Sequence, residues 1–275
     1  MNQTISQSGW RVFLGPLLIL ILSYVIYFVH YPIWSWTVEP IFAVLILSYF
    51  VVLVTALAFL KKDMKKSLSN VFSFHGLRLV LVGLGLAVLF QTLWYGITLG
   101  LSAKLEFSSF PSLRGYELYT YYSLPIAFAL YVIFATFGAF AEVAYRGYVQ
   151  SRISSRYGIV AGIFVSAIFF SLQHIHIFQL KWIESFFQGQ FINVMIGGVF
   201  IGYFFSKNKG DIWSIFAFHA LGNIFSISLP IQIIYAFPYA GWLSTIIAYI
   251  VLFLVLRFLP LRNKRPFLNG PQISE

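Results

Sequence analysis

Six polar residues stand in otherwise apolar surroundings: Glu142 and Arg146, His174 and His176, and His219 with Asn223. A carboxylate and an imidazole can serve as general bases toward water, and imidazole and amide donors can stabilise an oxyanion. Glu142 and Arg146 are four residues apart, as are His219 and Asn223, so on helices each pair presents two groups in one direction. A charge near the centre of a bilayer costs about 2.5 to 3.5 kcal/mol even on a lenient scale, and pairing Glu142 with Arg146 lowers that cost. A purely structural ion pair that fixes helix register is the competing reading of these two residues. A lone histidine is more often a packing residue than a catalyst. His174 and His176 lie two positions apart, so on a helix they point in widely different directions and cannot both face one site. Together with Glu142, His219 and Asn223, His174 is assigned to the site, and His176 is left to packing.

These residues need helices to carry them. Of the 275 residues, 60% are hydrophobic and only 9% charged, too few to cover a soluble domain of this size. Apolar stretches long enough to cross about 30 Å of hydrocarbon recur along the chain. They predict spans at 12–29, 40–60, 78–101, 124–155, 158–177, 189–206, 211–234 and 240–258, with an uncleaved first span. The expectation is an all-α, polytopic membrane bundle of about eight transmembrane helices enclosing a polar cavity, a single domain over 1–275. Small residues at fourfold spacing (Gly158, Gly162, Ser166; Gly198, Gly202) would let backbones approach closely, although glycines are common in apolar spans.

The net charge of +10 reads better as orientation than as nucleic-acid binding. With the N-terminus inside, eight spans place 14 of the 18 basic residues in the cytoplasm and only Lys104, Arg114 and Lys181 outside, with Arg146 in the membrane. Both termini are expected on the cytoplasmic face of a cell membrane, bacterial by expectation. The absence of cysteine excludes disulfides, thiolate metal sites and cysteine nucleophiles. HExxH is also absent, so no cofactor is expected, and zinc is not favoured.

Three segments carry a family resemblance: Ala141-Glu142-Val143-Ala144-Tyr145-Arg146, Phe170-Ser171-Leu172-Gln173-His174 and His219-Ala220-Leu221-Gly222-Asn223. In order and spacing they resemble the EExxxR, FxxxH and HxxxN motifs of the CPBP family. That family includes type 2 CAAX prenyl proteases and bacterial proteins once grouped as abortive-infection or bacteriocin-immunity factors. Tyr145-Arg146-Gly147, Gly202-Tyr203 and Asp211-Ile212-Trp213 add to the likeness, which covers roughly 120–235. The resemblance implies an intramembrane glutamate-type endopeptidase with no side-chain nucleophile. In such a site the first glutamate and the FxxxH histidine activate water, the HxxxN pair holds the oxyanion, and the second glutamate holds the arginine.

The departure is Ala141, where the family has its general base. Glu142 is no simple substitute, because neighbours on a helix point about 100° apart and Glu142 already has Arg146. Loss of a positioned base costs about 10² to 10⁴-fold in rate, so the chain is expected to be inactive or severely weakened. Two explanations stand: a protease in which glutamate was exchanged for alanine, or a natural membrane scaffold or immunity-type protein that keeps the cavity to bind a peptide or partner. A small transporter is a third reading, without an evident inverted repeat in its favour. The expected substrate is a membrane-associated peptide or protein, such as a peptide precursor or signal peptide. The stretch between Ser102 and Tyr122 is either a gate over the cavity or a passive connector.

Overall fold

A computed structural model of the chain describes residues 11–33, 38–64, 72–101, 104–107, 124–174, 190–228, 231–234 and 240–261. The helices are α1 Arg11–Ile33, α2 Val38–Met64, α3 Leu77–Leu101, α4 Leu124–Ala139, α5 Ser151–Tyr157, α6 Ile159–Leu172, α7 Gln190–Lys207, α8 Ile212–Ser228 and α9 Ala240–Phe258. A π-helical segment, Val143–Gln150, joins α4 to α5. Two short strands, β1 Lys104–Phe107 and β2 Ile231–Ile234, pair antiparallel with Lys104 opposite Ile234 and Phe107 opposite Ile231.

The architecture is mostly helical, but the expected count of about eight membrane crossings is corrected. Among the described residues, three helical runs are long and apolar enough to cross: Leu77–Leu101, Phe128–Tyr157 and Gly241–Phe258. The apolar runs Val12–Ser23, Ile159–Leu172, Phe191–Lys207 and Ile212–Phe225 are shorter. At about 1.5 Å per residue, the 14 residues of α6 reach only about 21 Å, short of a hydrocarbon core. Hydropathy alone overran these elements. The expected span 158–177 stops at Leu172 with a turn through Gln173 and His174, and the expected span 211–234 ends as helix at Ser228 before β2 begins.

Large apolar side chains nonetheless face outward on the long helices, including Leu81 and Val88 on α3 and Ile250 and Leu254 on α9. Water does not tolerate such surfaces over large contiguous areas, whereas lipid does. Several long apolar helices of this kind fit a multi-pass membrane protein.

The π segment lies at the centre, and all eight of its residues are buried. It packs against α2 and α6, while α8 lies between α3 and α4 and α7 packs on α6. Close approach of α3 to α8 depends on Gly83, where a Cβ would come within 2.0 Å of the Ser214 carbonyl oxygen. The α7–α8 turn is fixed by its own chemistry. The Gly210 N–H donates to the Phe205 carbonyl in a Schellman-type ending, with Lys209 and Gly210 both at positive φ. Asp211 then caps α8 by accepting the Ser214 N–H at 2.7 Å. From that cap, His219 and Asn223 follow two and three turns into the bundle.

Candidate active site

Glu142 follows the end of α4 at Ala139 and immediately precedes the π segment, an irregularity often found at functional sites. Its side chain is fully buried. One carboxylate oxygen accepts from Arg146 Nε at 3.0 Å, and the other lies 2.5 Å from His219 Nδ1. Glu142 therefore does more than hold the arginine. It ties the π segment to α8, a second partner that the spacing within one helix could not reveal.

Arg146 is also fully buried. Its Nη1 donates to Ser166 Oγ on α6 at 2.7 Å, and Ser166 in turn donates to the Tyr145 carbonyl at 2.7 Å. The guanidinium stands 5.3 Å from the centre of the Phe170 ring, within reach of a cation–π contact. Its Nη2 is buried without a hydrogen-bond partner and faces Gly198 on α7, where a Cβ would lie 3.4 Å away. Of the fourfold small residues, Ser166 thus has a local use beyond helix packing, since it receives the arginine, while Gly198 lets α7 approach α6, where a Cβ would come within 3.1 Å of Ala167.

His174 lies in the turn just past α6. Its Nδ1 is 2.7 Å from the Phe170 carbonyl, so Nδ1 carries the hydrogen and donates. The Phe170 ring is the shared wall: its centre is 4.8 Å from the His174 ring and 5.8 Å from the His219 ring, both edge-on. The two imidazoles thus converge on one aromatic side chain. His219 is mostly enclosed, with 15% of its side chain exposed. Asn223 lies one turn further along α8 against α4, with its amide nitrogen 3.4 Å from where a Cβ on Gly138 would sit. Ala141 is buried beside Glu142. His176 lies outside the described residues.

Two contributors were not singled out from sequence. Tyr145 donates to the Gln173 side-chain carbonyl at 2.5 Å and packs edge-on against Phe170, which ties the π segment to the residue before His174. Ser166 appeared only as a small residue. A hydroxyl among small residues, one turn before the FxxxH phenylalanine, was the available signal.

Residues 122–225 match the family described as Rce1-like, type II CAAX prenyl endopeptidase Rce1-like. The match includes Ala141, Glu142, Arg146, His174, His219 and Asn223, and it covers the π segment and most of α8. No curated protein matches the chain. Among the described residues, no group of three or more His, Cys, Asp or Glu side chains is arranged to hold a metal ion.

Proposed function

We propose that the chain is an intramembrane endopeptidase of the type II CAAX-like kind, which cleaves a membrane-associated peptide or protein by attack of an activated water. The observation that carries this reading is the buried Glu142 carboxylate shared between Arg146 and His219, with His174 against the same Phe170 ring. A peptide precursor or signal peptide is the substrate class.

With Nδ1 committed to the Phe170 carbonyl, neutral His174 has its lone pair at Nε2, which takes a proton from water. The water oxygen adds to the scissile carbonyl carbon. Asn223 and the His219 Nε2–H then donate to the oxyanion. For His219 to donate there, both ring nitrogens carry hydrogen, and the carboxylate at 2.5 Å balances that charge. Collapse of the intermediate breaks the C–N bond, and the departing amine takes the proton from His174. Ala141 leaves the imidazole without the second base that the family resemblance calls for, so turnover is severely weakened, by about 10² to 10⁴-fold.

The test restores that base. In proteoliposomes given a panel of membrane-inserted peptides, Ala141→Glu should raise cleavage by about 10² to 10⁴-fold, and a further His174→Ala or His219→Ala should remove the gain. No gain toward any peptide would refute the reading. Ala141 itself favours a second reading, a non-proteolytic scaffold or immunity-type protein that holds a peptide in the same cavity. Its mark is cellular function unchanged by both Ala141→Glu and His219→Ala.

A further inference from the structure

Where α3 and α8 begin, a second set of side chains is linked in series. His75 Nδ1 is 3.0 Å from Asp211 Oδ1, and Ser73 Oγ is 3.2 Å from His75 Nε2. A carboxylate only accepts, so Nδ1 carries the hydrogen and Nε2 of the neutral ring presents its lone pair to the serine hydroxyl. This is the order of contacts by which a serine hydroxyl is activated, and such an arrangement is recognised by geometry rather than by sequence position.

The carboxylate is held for that task. Asp211 is buried, its other oxygen caps α8 through the Ser214 N–H, and its backbone N–H donates to Asn208 Oδ1 at 3.0 Å. Attaching the 72–76 loop does not require the histidine. Trp213 Nε1 already donates to the Phe72 carbonyl at 2.9 Å, and the Phe72 and Trp213 rings pack at 5.9 Å. Gly76, at φ +121°, turns the chain from His75 into α3. In the first turn of α3 the Leu79 N–H already donates to the Gly76 carbonyl at 3.1 Å, and the N–H groups of Leu77 and Arg78 are those a helix start leaves without intrahelical acceptors. Phe74 within the loop and Leu77 at the start of α3 are 61% and 63% exposed, an apolar surface at the end of a lipid-facing helix.

We propose that Ser73, His75 and Asp211 form a serine-type acyl-transfer site, separate from the Glu142 centre, for carboxylic esters whose aliphatic acyl chain lies along Phe74 and Leu77. Ser73 Oγ bonds to the ester carbonyl carbon as its proton passes to His75 Nε2. The C–O bond to the alcohol breaks, and the alcohol leaves with that proton. Water, deprotonated by the same nitrogen, then adds to the acyl-serine and releases the carboxylic acid and Ser73.

The full chain in lipid nanodiscs is treated with an alkyl fluorophosphonate, and adducts are located by peptide mass. Ser73 should be phosphonylated with loss of fluoride, and His75→Gln or Asp211→Asn should slow this by about 10²-fold or more. Ser155→Ala, at an exposed serine, should leave the rate at Ser73 unchanged. Hydrolysis of 4-nitrophenyl octanoate should be lost in Ser73→Ala. An unmodified Ser73, labelling equally fast in His75→Gln, or octanoate hydrolysis that survives Ser73→Ala would each overturn the assignment. None of these readings depends on peptide cleavage, so the two proposals fail separately.

Discussion

Glu142→Ala is the most informative perturbation of stability. In the native chain the Glu142 carboxylate receives Arg146 Nε and His219 Nδ1, all within a buried cluster. Removing it leaves Arg146 with Ser166 as its remaining side-chain acceptor, while Nη2 already lacks one. Breaking a buried pair by deleting one partner costs about 3 to 5 kcal/mol, because a buried charge is left uncompensated. Against a total stability of about 5 to 15 kcal/mol, that is a large loss. The double variant Glu142→Leu with Arg146→Met removes both members of the fully buried pair and leaves Ser166 without its arginine donor and the partly exposed His219 without its carboxylate. Replacing a whole buried pair by apolar residues is often near neutral, so the double variant should be at least about 2 kcal/mol more stable than Glu142→Ala. Glu142→Gln should fall between them, since one amide carbonyl cannot accept from two donors that point at separate oxygens. Reversible unfolding in mixed micelles provides the free energies. If Glu142→Ala lies within about 1 kcal/mol of the parent, or the Arg146→Met change adds its own full cost, the ion pair is not a coupled buried unit and the reasoning fails.

Two further outcomes follow from close contacts. Gly83→Ala drives a Cβ to within 2.0 Å of the Ser214 carbonyl oxygen, so α3 and α8 must separate at a cost of about 1 to 3 kcal/mol or more, measured by the same unfolding assay. Gly85→Ala, with nothing within 4 Å of the new Cβ, should instead be neutral or stabilise by up to about 1 kcal/mol through helix propensity, and equal effects at the two positions would contradict the packing. Tyr145→Phe removes the donor to buried Gln173 and should cost about 1 to 3 kcal/mol. Because that bond holds the turn carrying His174, amide exchange at 170–174 should accelerate, and unchanged exchange there would show that the tyrosine does not position it.

The residues of the candidate site were easier to pick out in the sequence than the course of the helices was. Glu142, Arg146, His174, His219 and Asn223 stand out because ionisable and amide groups in apolar runs need partners, and a spacing of four identifies partners on the same helix. Partners on other helices leave no such periodic mark. The bond from Glu142 to His219 joins residues 77 apart, and Ser166 under Arg146 and Gln173 under Tyr145 are likewise visible only once α6 is packed. The number of crossings was misread because hydropathy reports composition along the chain, not where a backbone leaves helical geometry. The turn at Gln173–His174 and strand β2, Ile231–Ile234, both interrupt sequence that remains apolar.

The same limit explains the second site. Ser73 and His75 lie just before α3, Asp211 lies just before α8 and 136 residues beyond His75, and each alone looks like ordinary loop chemistry. What joins them is the approach of α3 to α8 at Gly83, which brings the two helix starts to one end of the bundle. That approach also sets α8 against α4 and thus His219 against Glu142. A substitution that parts α3 from α8 should therefore disturb both centres, whereas changes confined to Ser73 or to Glu142 should disturb one. Comparing Gly83→Ala with Ser73→Ala and Glu142→Gln separates shared scaffolding from local chemistry.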